Sequence, residues 1–254
     1  MLSWDMASSV FNTVLLLATF VVRRVLTRAL PPGRQRRTTA LLTASYVFFA
    51  ASTGVAAAYQ LLDPLLLDLT GWANCAQLAA MLLTLTASML VAAWSTRVAA
   101  VAERVPWIVG LVAAVSMVVI YALTDLSTIA ALPLARHQSP WIMPFTLTYR
   151  TGGIVEACLV ISIGLTTLNG KGKRTPVGCD TSARTAIILL VLYGFLSLSY
   201  SLGMILHHLL ARKSLSWLYW FSYTFATTGY VVCLSVAGLL AARQLQQHRD
   251  EISR

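Results

Sequence analysis

Apolar residues in this chain run in long unbroken stretches separated by short polar or basic connections. They do not alternate as in a strand or line one face as in a soluble helix. Seven such stretches can be marked, at about 4–25, 38–62, 72–94, 105–123, 144–168, 185–210 and 215–242. At ~1.5 Å of rise per helical residue, each is long enough to cross ~30 Å of hydrocarbon. A segment in lipid must satisfy its own backbone hydrogen bonds, which a helix does and a lone strand does not. The pattern therefore predicts an all-α fold, a seven-transmembrane-helix bundle filling 1–254 as a single integral membrane domain. The first stretch has no basic leader and no small-residue cleavage site before a soluble domain, so it reads as a retained helix.

Composition strengthens this picture: 57% of residues are hydrophobic and 11% charged, which a soluble domain does not sustain. The net charge of +10 would suggest nucleic acid in a soluble protein, but its placement points to the bilayer. Arg23, Arg24, Arg28, Arg34, Arg36 and Arg37 fall around the first connection, and Arg97 and Arg104 around the third. Lys171, Lys173, Arg174 and Arg184 fall around the fifth, and Arg243, Arg249 and Arg254 in the tail. Only Arg136, Arg150, Arg212 and Lys213 fall on or towards the other side. The positive-inside bias then puts the N-terminus outside and the C-terminus in the cytoplasm of a bacterial plasma membrane. The expected partners are the lipid bilayer and its anionic head groups, not nucleic acid. Trp4, Trp72, Trp141, Trp217, Tyr219 and Trp220 sit at the outer ends of stretches, as an interfacial aromatic belt does. The four cysteines, Cys75, Cys158, Cys179 and Cys233, form no CxxC pair and no disulfide framework.

Acid placement changes the picture more than acid count. The chain has nine acidic residues, and Glu156 lies near the middle of the 145–164 run, where only Arg150 is also charged. A carboxyl at bilayer depth is costly and marks a functional-site candidate. Asp5, Asp63, Asp68 and Asp125 fall at outer ends or in outer connections, where a solvated rim is the plainer reading. The 61–71 segment reads as an outer connection, with room for a short interfacial helix. Tyr149, Gly152, Gly153 and Glu156 share one helical face, and the two glycines would leave space there. Tyr193, Ser197 and Tyr200 make a stripe on the sixth stretch, and Tyr223, Thr227 and Tyr230 make one on the seventh. Such residues are also ordinary contacts between membrane helices. Read with one buried acid, they describe an aromatic cavity open towards the outer leaflet. Asn74 and Gln77 add a polar pair at the outer end of the third stretch. The candidate substrate-binding set is Trp72, Asn74, Gln77, Tyr149, Tyr200, Tyr223 and Tyr230.

Several chemistries find no residues to carry them. The last stretch has no lysine for a retinal Schiff base, and His207 and His208, adjacent on one helix, do not face each other as axial haem ligands would. Walker A, GxGxxG, HExxH, GxSxG and aspartate-rich diphosphate-ionising motifs are all missing. No cofactor and no metal is expected. Proton-initiated chemistry on a lipid-like substrate remains: desolvation favours a neutral carboxylic acid that can donate a proton, and aromatic faces stabilise a migrating positive charge.

On its size, its seven stretches, its lack of aspartate-rich motifs and its dispersed acids Asp5, Asp125 and Glu156, the chain resembles the bacterial integral-membrane terpene cyclases of the drimentine and indole-sesquiterpenoid type. That resemblance implies metal-independent, acid-initiated cyclisation of a farnesyl-type chain on a prenylated small-molecule precursor. Glu156 or Asp125 would be the acid and aromatic residues the guides. A second resemblance rests on Ser139-Pro140-Trp141-Ile142-Met143-Pro144 leading into Tyr149 and Glu156. There the chain is similar to actinobacterial seven-helix proteins named as transporters. The alternative function is accordingly a small transporter or sensor without catalytic activity.

Overall fold

The computed structural model describes residues 4–99, 104–130, 139–169, 181–210 and 221–252, all helical or turn, with no strand among the described residues. The helices are α1 (Trp4–Ala29), α2 (Arg34–Thr70), α3 (Cys75–Ala99), α4 (Arg104–Leu123), α5 (Ile142–Leu168), α6 (Thr181–Leu210) and α7 (Thr227–Ile252). A single π-helical turn, Phe221–Ala226, leads into α7. Seven helical segments are long and apolar enough to cross a bilayer, so the chain is a multi-pass, all-helical membrane protein.

Two helices run past the ends the pattern predicts. The second helix does not stop near 62. It continues through Pro64 to Thr70, about 55 Å in all. Gly71 then ends it in the left-handed region at φ 74°, its N–H bonded to the Leu67 carbonyl at 2.8 Å. The proline forfeits one backbone bond, and Asp63 beside it ties this part of α2 to α3. Asp63 is 5% exposed; its carboxylate accepts from the Ala76 N–H at 2.6 Å and from Gln77 Nε2 at 3.0 Å. The acid thus caps the first turn of α3, where orphan N–H groups need an acceptor. The solvated-rim reading is wrong for Asp63, although Asp68 is exposed as expected. At the chain's other end, the residues expected as a soluble tail continue α7 as far as Ile252.

Six helices close a ring in the order α1, α2, α3, α5, α6, α7, with α7 packed back on α1; α4 lies outside, against α3 and α5. Of the seven spans, α3 is the most buried. Glycine allows the closest approaches. A Cβ on Gly238 of α7 would sit 2.0 Å from the Tyr46 hydroxyl, which donates to the Leu234 carbonyl at 2.6 Å. A Cβ on Gly152 of α5 would sit 2.1 Å from Leu85 of α3. The space predicted at Gly152 is therefore filled by a neighbouring helix. Arg23 is a further correction. It belongs to the bundle and not to a connection: it is 3% exposed on α1, and its Nη1 donates to the Gly238 carbonyl at 2.6 Å.

Candidate functional site

Five helices contribute to a small chamber in the ring's interior. Glu156 lies about 21 Å along α5 from Ile142, past the middle of the helix. Its side chain has no exposed surface. From α6, across the α5–α6 contact, the Tyr193 hydroxyl donates to Glu156 Oε1. Glu156 Oε2 has no hydrogen-bond partner. Ser88 of α3 also faces this chamber.

Arg150 enters the same chamber from earlier on α5. It is 5% exposed. Its guanidinium stands 4.5 Å from the centre of the Tyr149 ring and 4.1 Å from that of Tyr200. Its Nη2 donates to the Tyr200 hydroxyl at 3.1 Å, while Nε has no partner. This is a cation–π clamp, a favourable environment for a desolvated cation. It supplies no opposite charge. Among the described residues, Arg150 and Glu156 are not joined by an ion pair, although both line one void.

Rings complete the wall. Tyr230 of α7 meets Tyr193 edge-on at 5.8 Å and Tyr200 at 6.2 Å, and Phe49 of α2 lies 6.2 Å from Tyr230. Ser197 and Ser201 of α6 line the remainder, with Ser201 Oγ 3.1 Å from where a Cβ on Gly153 would be. Gly153 borders the chamber, unlike Gly152, but a Cβ there would press on Ser201, so α6 takes up part of the space the sequence suggested. The void open to water centres is about 20 Å³, room for one or two water molecules.

Of the candidate residues, Glu156, Tyr149, Tyr200 and Tyr230 are brought together here. Asp125, Asn74, Gln77 and Trp72 are not among the lining residues. Asp125 lies in a short 3₁₀ turn, where its Oδ1 accepts from Ser139 at 2.5 Å. Asn74 adopts φ 60° and donates to the carbonyls of Leu126 and Ile129 at 2.8 and 3.1 Å, tying the α2–α3 turn to the segment after α4. Gln77 is committed to Asp63, and Trp72 is half-exposed with its ring 5.8 Å from Tyr121. These contacts hold one end of the bundle together. The side chains of Asp5 and Tyr223 lie outside the described residues.

The reading of the sequence missed Arg150 as a chamber residue and left Tyr193 in a stripe without a role. A signal existed for the first: an arginine inside an apolar run, next to Tyr149 and less than two turns from Glu156. No cluster of three or more metal-ligating side chains occurs among the described residues. No protein family, curated protein or solved structure is significantly similar to the chain.

Proposed function

We propose that this multi-pass membrane protein binds a small polar ligand in the chamber, as a sensor or a carrier, with Arg150 and Glu156 as its contact groups. One observation carries the reading: two charged-type side chains, both buried and each with an unused hydrogen-bonding atom, face one void without pairing to each other. A buried charge left uncompensated costs several kcal/mol. A fold that merely needed to be stable would do better with apolar residues at both positions. The proposed topology keeps the N-terminus outside, since the charge bias survives without Arg23 and Arg150: fourteen basic residues remain on the cytoplasmic side against three.

Acid-initiated cyclisation is the second reading, favoured by the contact of Glu156 with Tyr193 and the nearby Tyr230 ring. Two features weigh against it. The faces of Tyr149 and Tyr200, which would guide a carbocation, are already taken by the Arg150 cation. The void of about 20 Å³ is also far below the ~300–1,000 Å³ of pockets for larger organic ligands.

Thermal unfolding of the protein in lipid nanodiscs, across a panel of small ions, acids and amines, tests the first reading. A ligand at a hundredfold excess over Kd stabilises by ~2.7 kcal/mol; that shift should vanish in Arg150→Gln and lose its pH dependence in Glu156→Gln. Product formation from a farnesylated indole, lost in Glu156→Gln, would instead establish the cyclase. A panel that shifts nothing would end the ligand reading.

A further inference from the structure

Building on the ligand-binding reading, we infer that the chamber is a site for a small monovalent anion of chloride or nitrate size, bound at Arg150 together with a proton on Glu156. Size comes first: the void admits one or two waters, enough for an ion of this class and too little for an amino acid. Charge comes second. Arg150 is buried and clamped by two rings, with an unpartnered Nε and no carboxylate beside it. Guanidinium N–H groups only donate, so the missing partner is an acceptor. The same wall presents hydroxyls from Ser88, Ser197 and Ser201. A cation would face Arg150 at close quarters, which disfavours the opposite choice.

Glu156 supplies the link to the proton. It lies six residues beyond Arg150 on α5, about 9 Å along the axis. When Glu156 is ionised, its charge neutralises Arg150 at a distance and repels an incoming anion. When it is protonated, the chamber carries one uncompensated positive charge and the repulsion is gone. At this separation, with an effective dielectric constant of ~20, the change alters anion affinity on the order of tenfold. By linkage, anion binding must draw in protons to the same degree. The other titratable groups facing the carboxyl are Tyr149 and Arg150 from α5, Tyr193 and Tyr200 from α6 and Tyr230 from α7. The lining residues of α2 and α3 (Phe49, Thr84, Leu85 and Ser88) contribute none. His208 lies further along α6, on the side of Arg150.

The test uses the full chain in nanodiscs, weakly buffered, titrated with sodium nitrate or chloride at constant ionic strength while proton uptake is recorded. Wild type should take up protons as nitrate binds and bind it about tenfold tighter at the acidic end of the titration than at the alkaline end. Glu156→Gln, close to isosteric, should bind nitrate with no uptake and no pH dependence. Arg150→Gln should weaken binding more than tenfold, and Arg150→Lys should restore part of it. Absence of anion-linked uptake in folded wild type, or equal uptake in Glu156→Gln, overturns the inference even if Arg150→Gln does not fold. An amine or neutral ligand that stabilises the protein through Glu156, with nitrate and chloride inert, would leave the ligand-binding reading standing and remove this one.

Discussion

Asp63 and Glu156 are both carboxyl groups buried in a membrane bundle, and they have opposite uses. The Asp63 carboxylate has both oxygens engaged, one by the Ala76 N–H and one by Gln77, at the place where α2 meets the first turn of α3. It does not line the chamber. Glu156 has one oxygen held by Tyr193 and the other without a partner, beside a void that Arg150 also faces. Burial is therefore a weak sign of function by itself. The sign that separates the two acids is unspent hydrogen-bonding capacity next to empty space. The two buried arginines both keep an unpartnered Nε and differ in their surroundings: Arg23 ends on the Gly238 carbonyl with its guanidinium 5.9 Å from the Tyr46 ring and does not line the chamber, while Arg150 opens onto it.

The contrast can be broken by substitution. Asp63→Ala should have the largest effect on stability, about 2–4 kcal/mol, because it removes a helix cap and leaves Gln77 and the Ala76 N–H without their acceptor. Thermal unfolding in detergent would show the loss, and any ligand response should persist below the lowered transition. Tyr193→Phe should cost about 1–2 kcal/mol, since it removes the hydroxyl that donates to Glu156 Oε1. Tyr200→Phe should cost about 1 kcal/mol, because the ring still covers Arg150 and only the hydroxyl contact is lost. Glu156→Gln should have the smallest effect on unfolding, within about 1 kcal/mol, and should abolish the proton uptake linked to ligand binding. A stability loss at Glu156→Gln as large as that of Asp63→Ala would erase the distinction between the two acids.

Much of the architecture was legible from the chain because apolar run length is a local property. The seven spans needed no knowledge of packing. Helix ends were less legible where a tertiary contact decides them. Leu61 to Leu69 can be helix or interfacial loop, and the choice falls to helix once Asp63 can reach the start of α3. Arg150 was misplaced for a related reason. A basic residue in the outer half of an apolar run can snorkel to the interface, and only the rotation of α5, set by its contacts with α3 and α6, turns it inward onto Tyr200. Tyr193 could be placed on a stripe, but its pairing with Glu156 joins two helices and is invisible within either. The inward direction of Glu156 itself, and the rings of Tyr149, Tyr200 and Tyr230 around it, did follow from spacing along single helices.

The contrast between the two acids can be measured directly by infrared difference spectroscopy in nanodiscs, recorded with and without sodium nitrate. One carboxyl band should respond to nitrate in wild type, remain in Asp63→Asn and disappear in Glu156→Gln. A nitrate response that survives Glu156→Gln, or that is lost in a folded Asp63→Asn protein, would contradict the assignment of the chamber to Glu156.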